Sequence, residues 1–275
     1  GWFDNVHIAN NPQDDGPATV GQDNSAAQNI TLLDWGDGQA FRDAISGEYA
    51  AVILEPVAIN GGCLYPPDGF LELVREETRR LGVVLIFDEV ITGYRLALGG
   101  AQQASGVTPD LAVIGKAMGS GLPIGAITGS ADIMEPIASG RMLHRGTFNG
   151  NPLSVAASIA CISYLKDNAA RLYREIDAKA QALEDHSRRC ADQSGVTASI
   201  TRTGSALQIF LGVPTIRSLA DTSCIDATLT AKFAAELLQR DVQIISRGLL
   251  YLSDAHTQAD IDTTKSAIED AFAAI

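Results

Sequence analysis

Histidine, cysteine and positive charge are all scarce in this sequence, and each scarcity excludes something. The four cysteines, Cys63, Cys161, Cys190 and Cys224, are widely spaced and form no CxxC, and no two of the four histidines stand at ligand spacing. That argues against a structural zinc site and for a reduced, cytoplasmic protein. Lys and Arg number 20 against 33 Asp and Glu, a net charge of −13. The balance argues against a nucleic-acid-binding or anionic-membrane surface. No apolar run approaches the length of a membrane span, and no signal peptide is visible. An initiator methionine is also missing: the chain opens GWFDNVHIAN and reads as an interior stretch of a longer polypeptide.

What is present is enough apolar material, 46% of 275 residues, for one large domain or two smaller ones. Residues 6–8 read as a short strand, and 10–27, with its prolines, glycines and aspartates, as an exposed loop. Residues 37–46 read as a short helix capped by Asp37. A strand at 50–54 ends at Glu55. After a turn-rich connection, the spacing predicts a helix over 67–81 with Phe70, Leu71, Val74 and Leu81 on one side and Gly82 as its stop. Residues 83–87, VVLIF, show no alternation and read as a strand buried on both faces, as central parallel strands are. Strands at 111–114 and 124–128 complete an α/β pattern with a mostly parallel sheet. Helices are expected over 151–166, with Pro152 in the first turn, and over 168–192. Strands at 197–203, 206–211 and 249–252, with helices at 226–240 and 258–275, read as a small α+β domain. The division falls near 166–168, giving a large domain over 1–166 and a small carboxy-terminal domain with its connecting helix over 167–275.

The chemistry gathers at strand ends. Ligands of open α/β sheets sit at the carboxyl ends of the strands, and Glu55, Asp88 and Lys116 all stand just past such an end. Within DLAVIGKAMGSGLPIGA, residues 110–126, Lys116 follows a short apolar strand and is flanked by small residues. A desolvated amine loses proton affinity and becomes a nucleophile, whose natural chemistry is a Schiff base with a carbonyl or with pyridoxal phosphate (PLP). A solvated loop lysine is the plainer alternative. Asp88 either meets a cation, such as a protonated pyridine nitrogen, or caps the strand by accepting loop amides. An apolar run ending in Asp-Glu also resembles the Mg²⁺-binding strand of P-loop ATPases. The only Gly-Lys here, Gly115-Lys116, is preceded five residues earlier by Asp110 and followed by Ala117, so that motif is absent. The stretch RGTFNGNP, residues 145–152, offers a hydroxyl and free amides before a helix start. It is either an anion site or an ordinary N-cap by Asn149 or Asn151.

Taken in order, EPVAINGG, GVVLIFDEVITGYRLALGGAQ, GVTPDLAVIGKAMGSGLPIGA and GTFNGNPL, with TRTGSALQIF and RGLLYLSDAHTQADID in the tail, resemble the class III PLP-dependent aminotransferases. Within them the match is with the glutamate-1-semialdehyde 2,1-aminomutase branch, and it covers most of the chain. The resemblance implies PLP fold type I, a large α/β domain with a small domain built from both chain ends. By position it implies that Lys116 is the Schiff-base lysine and moves the substrate proton, that Asp88 pairs with the pyridine nitrogen, and that Val90 packs on one ring face. Thr147, with Gly146, is implied to bind the cofactor phosphate of a neighbouring subunit, hence a homodimer with sites at the interface. Asn60 is implied to lie near the cofactor ring or the substrate.

The sequence departs from the family pattern in two places. The amino-terminal part, which in the family supplies half of the small domain, a phosphate loop and a ring-stacking aromatic, is absent from this sequence. In the tail, where the aminomutase branch carries an acidic residue, stand Ser246, Arg247 and Gly248, which favours plain transamination. Arg247 is either a carboxylate-binding group for the substrate or a solvated arginine, and its distance from Lys116 separates the two. The expectation is an aminotransferase acting between an amino donor and an aldehyde, ketone or keto acid, with an aminomutase as the alternative. An inactive fragment serving as a binding or structural partner is a third reading. A PLP-free Schiff-base lyase, which leaves Asp88 and Thr147 without roles, is a fourth.

Overall fold

The computed structural model describes residues 21–275. They fall into two units, one ending at Ile45 and the other spanning Ser46–Ile275. The strand expected at 6–8 and most of the loop expected over 10–27 lie outside the described residues. In the first unit, Asn24–Asn29 forms a short 3-10 helix, started by the Asp23 carboxylate accepting from the Ser25 amide at 2.9 Å. Helix α1, Gly38–Ala44, follows; Asp37 accepts from the amides of Gln39 and Ala40, both at 2.9 Å, as an N-cap does.

The second unit holds two sheets. Strands β1 (Ala51–Leu54), β2 (Val84–Glu89), β3 (Leu111–Ile114) and β4 (Ala126–Gly129) form one, in that order. The first three run parallel, and β4 pairs antiparallel with β3. Between β1 and β2 lies helix α2 (Phe70–Leu81), which buries Phe70, Leu71, Val74 and Thr78, packs against β2, and ends at Gly82 in the left-handed region. Leu81, expected on the buried side, is only half-buried. Two expectations for β2 need correction. Asp88 and Glu89 lie inside the strand rather than past it, because Asp88 pairs with Val113 and Glu89 with Ile114. Burial along β2 alternates: Leu85, Phe87 and Glu89 are buried, while Val84, Ile86 and Asp88 are half-buried. One face is therefore fully covered and the other only in part.

After β2 comes a short helix α3 (Gly100–Ser105), and after β4 another, α4 (Ala131–Ala138). Helix α5 then runs unbroken over Pro152–Ser194, 43 residues. Two helices were expected here, meeting at 166–168. That junction, Lys166-Asp167-Asn168, contains neither proline nor glycine, so nothing interrupts the hydrogen-bond ladder. Asn151 caps the start through the Leu153 and Ser154 amides, and Gly195 in the left-handed region ends it. The second sheet is antiparallel, β5 (Ala198–Thr203), β6 (Ala206–Leu211) and β7 (Leu249–Tyr251) in order. Helices α6 (Ala227–Leu238) and α7 (Gln258–Ala274) complete it. Leu183 of α5, Ile209 of β6, Phe233 of α6 and Ile268 and Phe272 of α7 meet in one core, with the Phe233 and Phe272 rings 4.8 Å apart. At its other end α5 reaches the turn after β3, where the Cys161 thiol lies 3.3 Å from the Ala117 carbonyl. No helix among the described residues is long and apolar enough to cross a membrane.

Candidate active site

The parallel register aligns the ends of three strands. Leu54 lies level with Phe87, so Glu55 follows beside Asp88, and Asp88 in turn lies level with Val113 of β3. Two residues past Ile114 comes Lys116. It opens a 3-10 turn, Lys116–Gly119, with φ at 44°, a left-handed conformation that costs a non-glycine residue about 1 kcal/mol. Hydrogen bonds from Met118 N to Gly115 O at 3.1 Å and from Ser120 N to Ala117 O at 3.2 Å hold the turn in place. The lysine therefore leaves the sheet in a fixed direction rather than trailing into a loop.

Charge is concentrated around its amine. The Lys116 side chain as a whole is exposed, yet the amine is partly desolvated, and that burial is the leading cause that lowers its pKa below the usual lysine value. Asp88 and Glu55 pull the other way, and the guanidinium groups of Arg95 and Arg247 reinforce the lowering. Glu55 is pushed up, first by burial and then by the charge of Asp88, with Lys116 and Arg247 partly offsetting both. Asp88 Oδ1 accepts from the Val90 amide at 3.0 Å. A side chain grown on Gly115 would meet Val90 Cγ1 at 3.6 Å, so Val90 lies against the backbone next to the lysine.

Arg247 lies within the electrostatic reach of Lys116 and Glu55, not remote from them. Its Nη2 donates to Asn60 Oδ1 at 2.5 Å, and its carbonyl accepts from Gln208 Nε2 at 3.0 Å. The structure thus brings Lys116, Asp88, Val90, Asn60 and Arg247 to one end of the first sheet. Gly146 and Thr147 are not part of that group. Both are exposed, and neither hydrogen-bonds to the others. The same stretch of chain carries exposed apolar side chains: Leu143 is 72%, Phe148 82% and Leu153 69% exposed. A surface groove of about 540 Å³ along α2, lined by Glu72, Arg79 and Thr108, contains none of the site residues.

Two residues at the site escaped the sequence reading. Arg95 is largely buried, its Nη1 3.0 Å from Ser205 Oγ and its guanidinium 4.6 Å above the Tyr251 ring. Glu89 is buried with three hydrogen-bond donors around it. The available signal was the period of a strand: neighbours point to opposite faces, so Asp88 and Glu89 could not share one role.

The family model for aminotransferase class III matches residues 20–269. The chain belongs to the class III aminotransferases. A glutamate-1-semialdehyde 2,1-aminomutase from Methanopyrus kandleri is 37% identical over 262 residues, covering 93% of this chain and 60% of that protein. Among solved structures, an omega-transaminase from Sphaerobacter thermophilus superposes with a TM-score of 0.87 at 28% identity, covering 99% of this chain and 65% of that one. A β-phenylalanine aminotransferase from Variovorax paradoxus gives 0.79 at 32% identity, covering 92% and 58%. This class III chain therefore spans about 60% of the length of the curated relatives it matches. The fold is the type I PLP fold expected from the sequence motifs.

Proposed function

We propose that this chain carries the lysine-bearing half of a PLP-dependent aminotransferase site, moving an amino group between an amino donor and an aldehyde, ketone or keto acid. The observation that carries the reading is Lys116 itself: a lysine of lowered proton affinity, fixed by a left-handed turn and flanked by Asp88 and Glu55 at aligned strand ends. The donor set fits the group. A reactive amine, a carboxylate one strand away and an apolar Val90 between them match an aldehyde, a ring nitrogen and a ring face. When bound, PLP supplies a carbonyl for covalent capture of amines and a ring that delocalises the electrons left by a departing proton.

Lys116 Nζ would hold the cofactor covalently and, once released, take the proton from the substrate carbon that bears nitrogen. Asp88 would keep a proton on the ring nitrogen, and Val90 would cover one ring face. Asn60 and Arg247 would orient a substrate carboxylate. Gly146 and Thr147 would serve the phosphate of a second copy's site. The exposed apolar side chains around them support a homodimer, and Phe148→Asp should leave a monomer by sedimentation. The four unpaired cysteines accord with a reduced, cytoplasmic setting, and a division into domains at 166–167 would fall inside the continuous helix α5.

An aminomutase is the second reading, favoured by the name of the Methanopyrus relative. Arg247, standing where that branch carries a carboxylate, weighs against it. The test is a visible spectrum with added PLP, then borohydride reduction and peptide mapping. A yellow chromophore and a reduced label on the Lys116 peptide are expected. No chromophore and no label, in this chain and in a longer form carrying the family's amino-terminal part, would overturn the reading and leave a binding or structural role.

A further inference from the structure

Glu89 is 1% exposed, the one charged side chain among the described residues that is fully buried. Among those residues it makes no ion pair. A buried carboxylate is costly unless its lone pairs are satisfied, and here they are met by neutral donors. Its Oε2 accepts from the Ala101 amide at 2.6 Å and from Thr92 Oγ1 at 2.9 Å, and its Oε1 accepts from Gln102 Nε2 at 2.8 Å. Its own carbonyl accepts from the Gly93 amide at 2.9 Å. These partners sit at the two ends of one connection. Thr92 and Gly93 open it, and Ala101 and Gln102 form the first turn of α3. Gly100, with φ at 64°, lies so close that a Cβ there would fall 2.2 Å from Glu89 Oε2. That contact explains why the position carries no side chain.

The clamped connection bears two residues of the site. Val90 packs against Gly115, beside Lys116. Arg95 reaches across to Ser205 and the Tyr251 ring. Asp88 stands beside Glu89 in the same β2 ladder but points to the opposite face.

We propose that Glu89 is a positioning residue: its carboxylate ties both ends of the 90–100 connection together and so holds Val90 and Arg95 beside Lys116. The role rests on the reading of Lys116 as the reactive amine, but its test needs no cofactor. Four charged groups act on that amine: Asp88, Glu55, Arg95 and Arg247. Burial, Arg95 and Arg247 lower its proton affinity, and of these Arg95, together with the Val90 side chain that covers Gly115, belongs to the clamped connection. Asp88 stays with the strand. Loosening the connection must therefore raise the pH at which Lys116 becomes reactive.

Glu89→Gln separates hydrogen bonding from charge. Its amide oxygen accepts from Ala101 and Thr92, and its NH₂ donates to Gln102 once that side chain turns its own amide over. The clamp survives while the charge is lost. Glu89→Ala removes both, and Thr92→Val removes one donor. The measurement is acetylation of Lys116 by acetic anhydride across a pH series, quantified by peptide mass spectrometry in the folded protein. Glu89→Gln should keep the wild-type midpoint. Glu89→Ala should raise it by about 0.5–1 pH unit, and Thr92→Val should raise it less. If Glu89→Ala does not fold, the Thr92→Val shift decides alone. A Glu89→Gln shift equal to that of Glu89→Ala, or an unmoved midpoint in Thr92→Val, overturns the proposal. Failure to bind PLP leaves this readout intact, so the two proposals fail separately.

Discussion

Arg247 and Asn60, 187 residues apart in sequence, meet through a 2.5 Å hydrogen bond between Nη2 and Oδ1. The contact ties the first sheet's outgoing loop to the segment before β7. It also fixes the guanidinium near Lys116, where its charge is felt by both Lys116 and Glu55. One nitrogen is engaged by Asn60. The rest of the planar fork is the part that, in the proposal above, would meet a substrate carboxylate, a partner whose geometry arginine matches.

Arg247→Ala should raise KM for amino or keto acids by about 10- to 100-fold, the worth of a charge-assisted hydrogen bond. KM for a simple amine lacking a carboxylate should not move. Asn60→Ala should give the same pattern more weakly, because it frees the guanidinium without removing it. Equal losses on both substrate classes would show that Arg247 supports structure rather than recognition. Steady-state kinetics with a matched amine and amino acid decide the matter.

Asp88→Asn should shift two neighbours in the same direction. Asp88 stabilises the protonated Lys116 amine, so its neutralisation should lower the midpoint of Lys116 acetylation further. Glu55 is raised first by burial and second by Asp88. Without Asp88 its pKa should therefore fall toward the usual carboxylate range while staying raised. Carboxyl chemical shifts followed across pH, beside the acetylation series, check both signs. PLP affinity should weaken in the same variant.

The motifs of the first sheet were legible because they combine period and punctuation. VVLIF-DE and LAVI-GK each join an apolar strand to a charged end, and the parallel register aligns those ends. Capping was legible too: Asp37 accepts from the amides that its position predicts, and of the two candidates Asn149 and Asn151 it is Asn151 that caps α5. What failed to show was long-range partnership. Asp88-Glu89 looked like one acidic pair, yet the pleat assigns them to opposite faces and different work. Nothing around Gly100 in the sequence signals its task, and only the distance to Glu89 Oε2 shows what it accommodates. The break expected at 166–168 came from a change in composition along α5, which by itself does not end a helix.

Cys63 gives a prediction about reactivity. It is 2% exposed, and burial pushes its thiol up to about 12, against a small opposing influence from Arg247 and Arg95. At pH 8 only about one molecule in 10,000 then carries the thiolate, the form that reacts. Cys224 is exposed. In the native protein iodoacetamide should label Cys224 first and leave Cys63 untouched until denaturant is added. Early labelling of Cys63 would mean that the loop following Asn60 opens on the timescale of the reaction.

Gly248 sets the direction from which Arg247 enters the site. Its φ is 90°, and a Cβ there would fall 2.1 Å from the Ile209 carbonyl oxygen. That carbonyl belongs to β6, whose own Ile209 amide donates to Gly248 O at 3.0 Å. Neither backbone can retreat without breaking the pairing next to it. Gly248→Ala should therefore destabilise the fold, by on the order of 1–3 kcal/mol for a residue forced into such a conformation. Because Gln208 Nε2 holds the Arg247 carbonyl from the same strand, the displacement should also carry Arg247 away from Asn60. The variant should then combine a lower denaturation midpoint with the KM pattern of Arg247→Ala, selective for carboxylate substrates. A lower midpoint with unchanged KM on both substrate classes would show that the guanidinium keeps its place when its backbone moves.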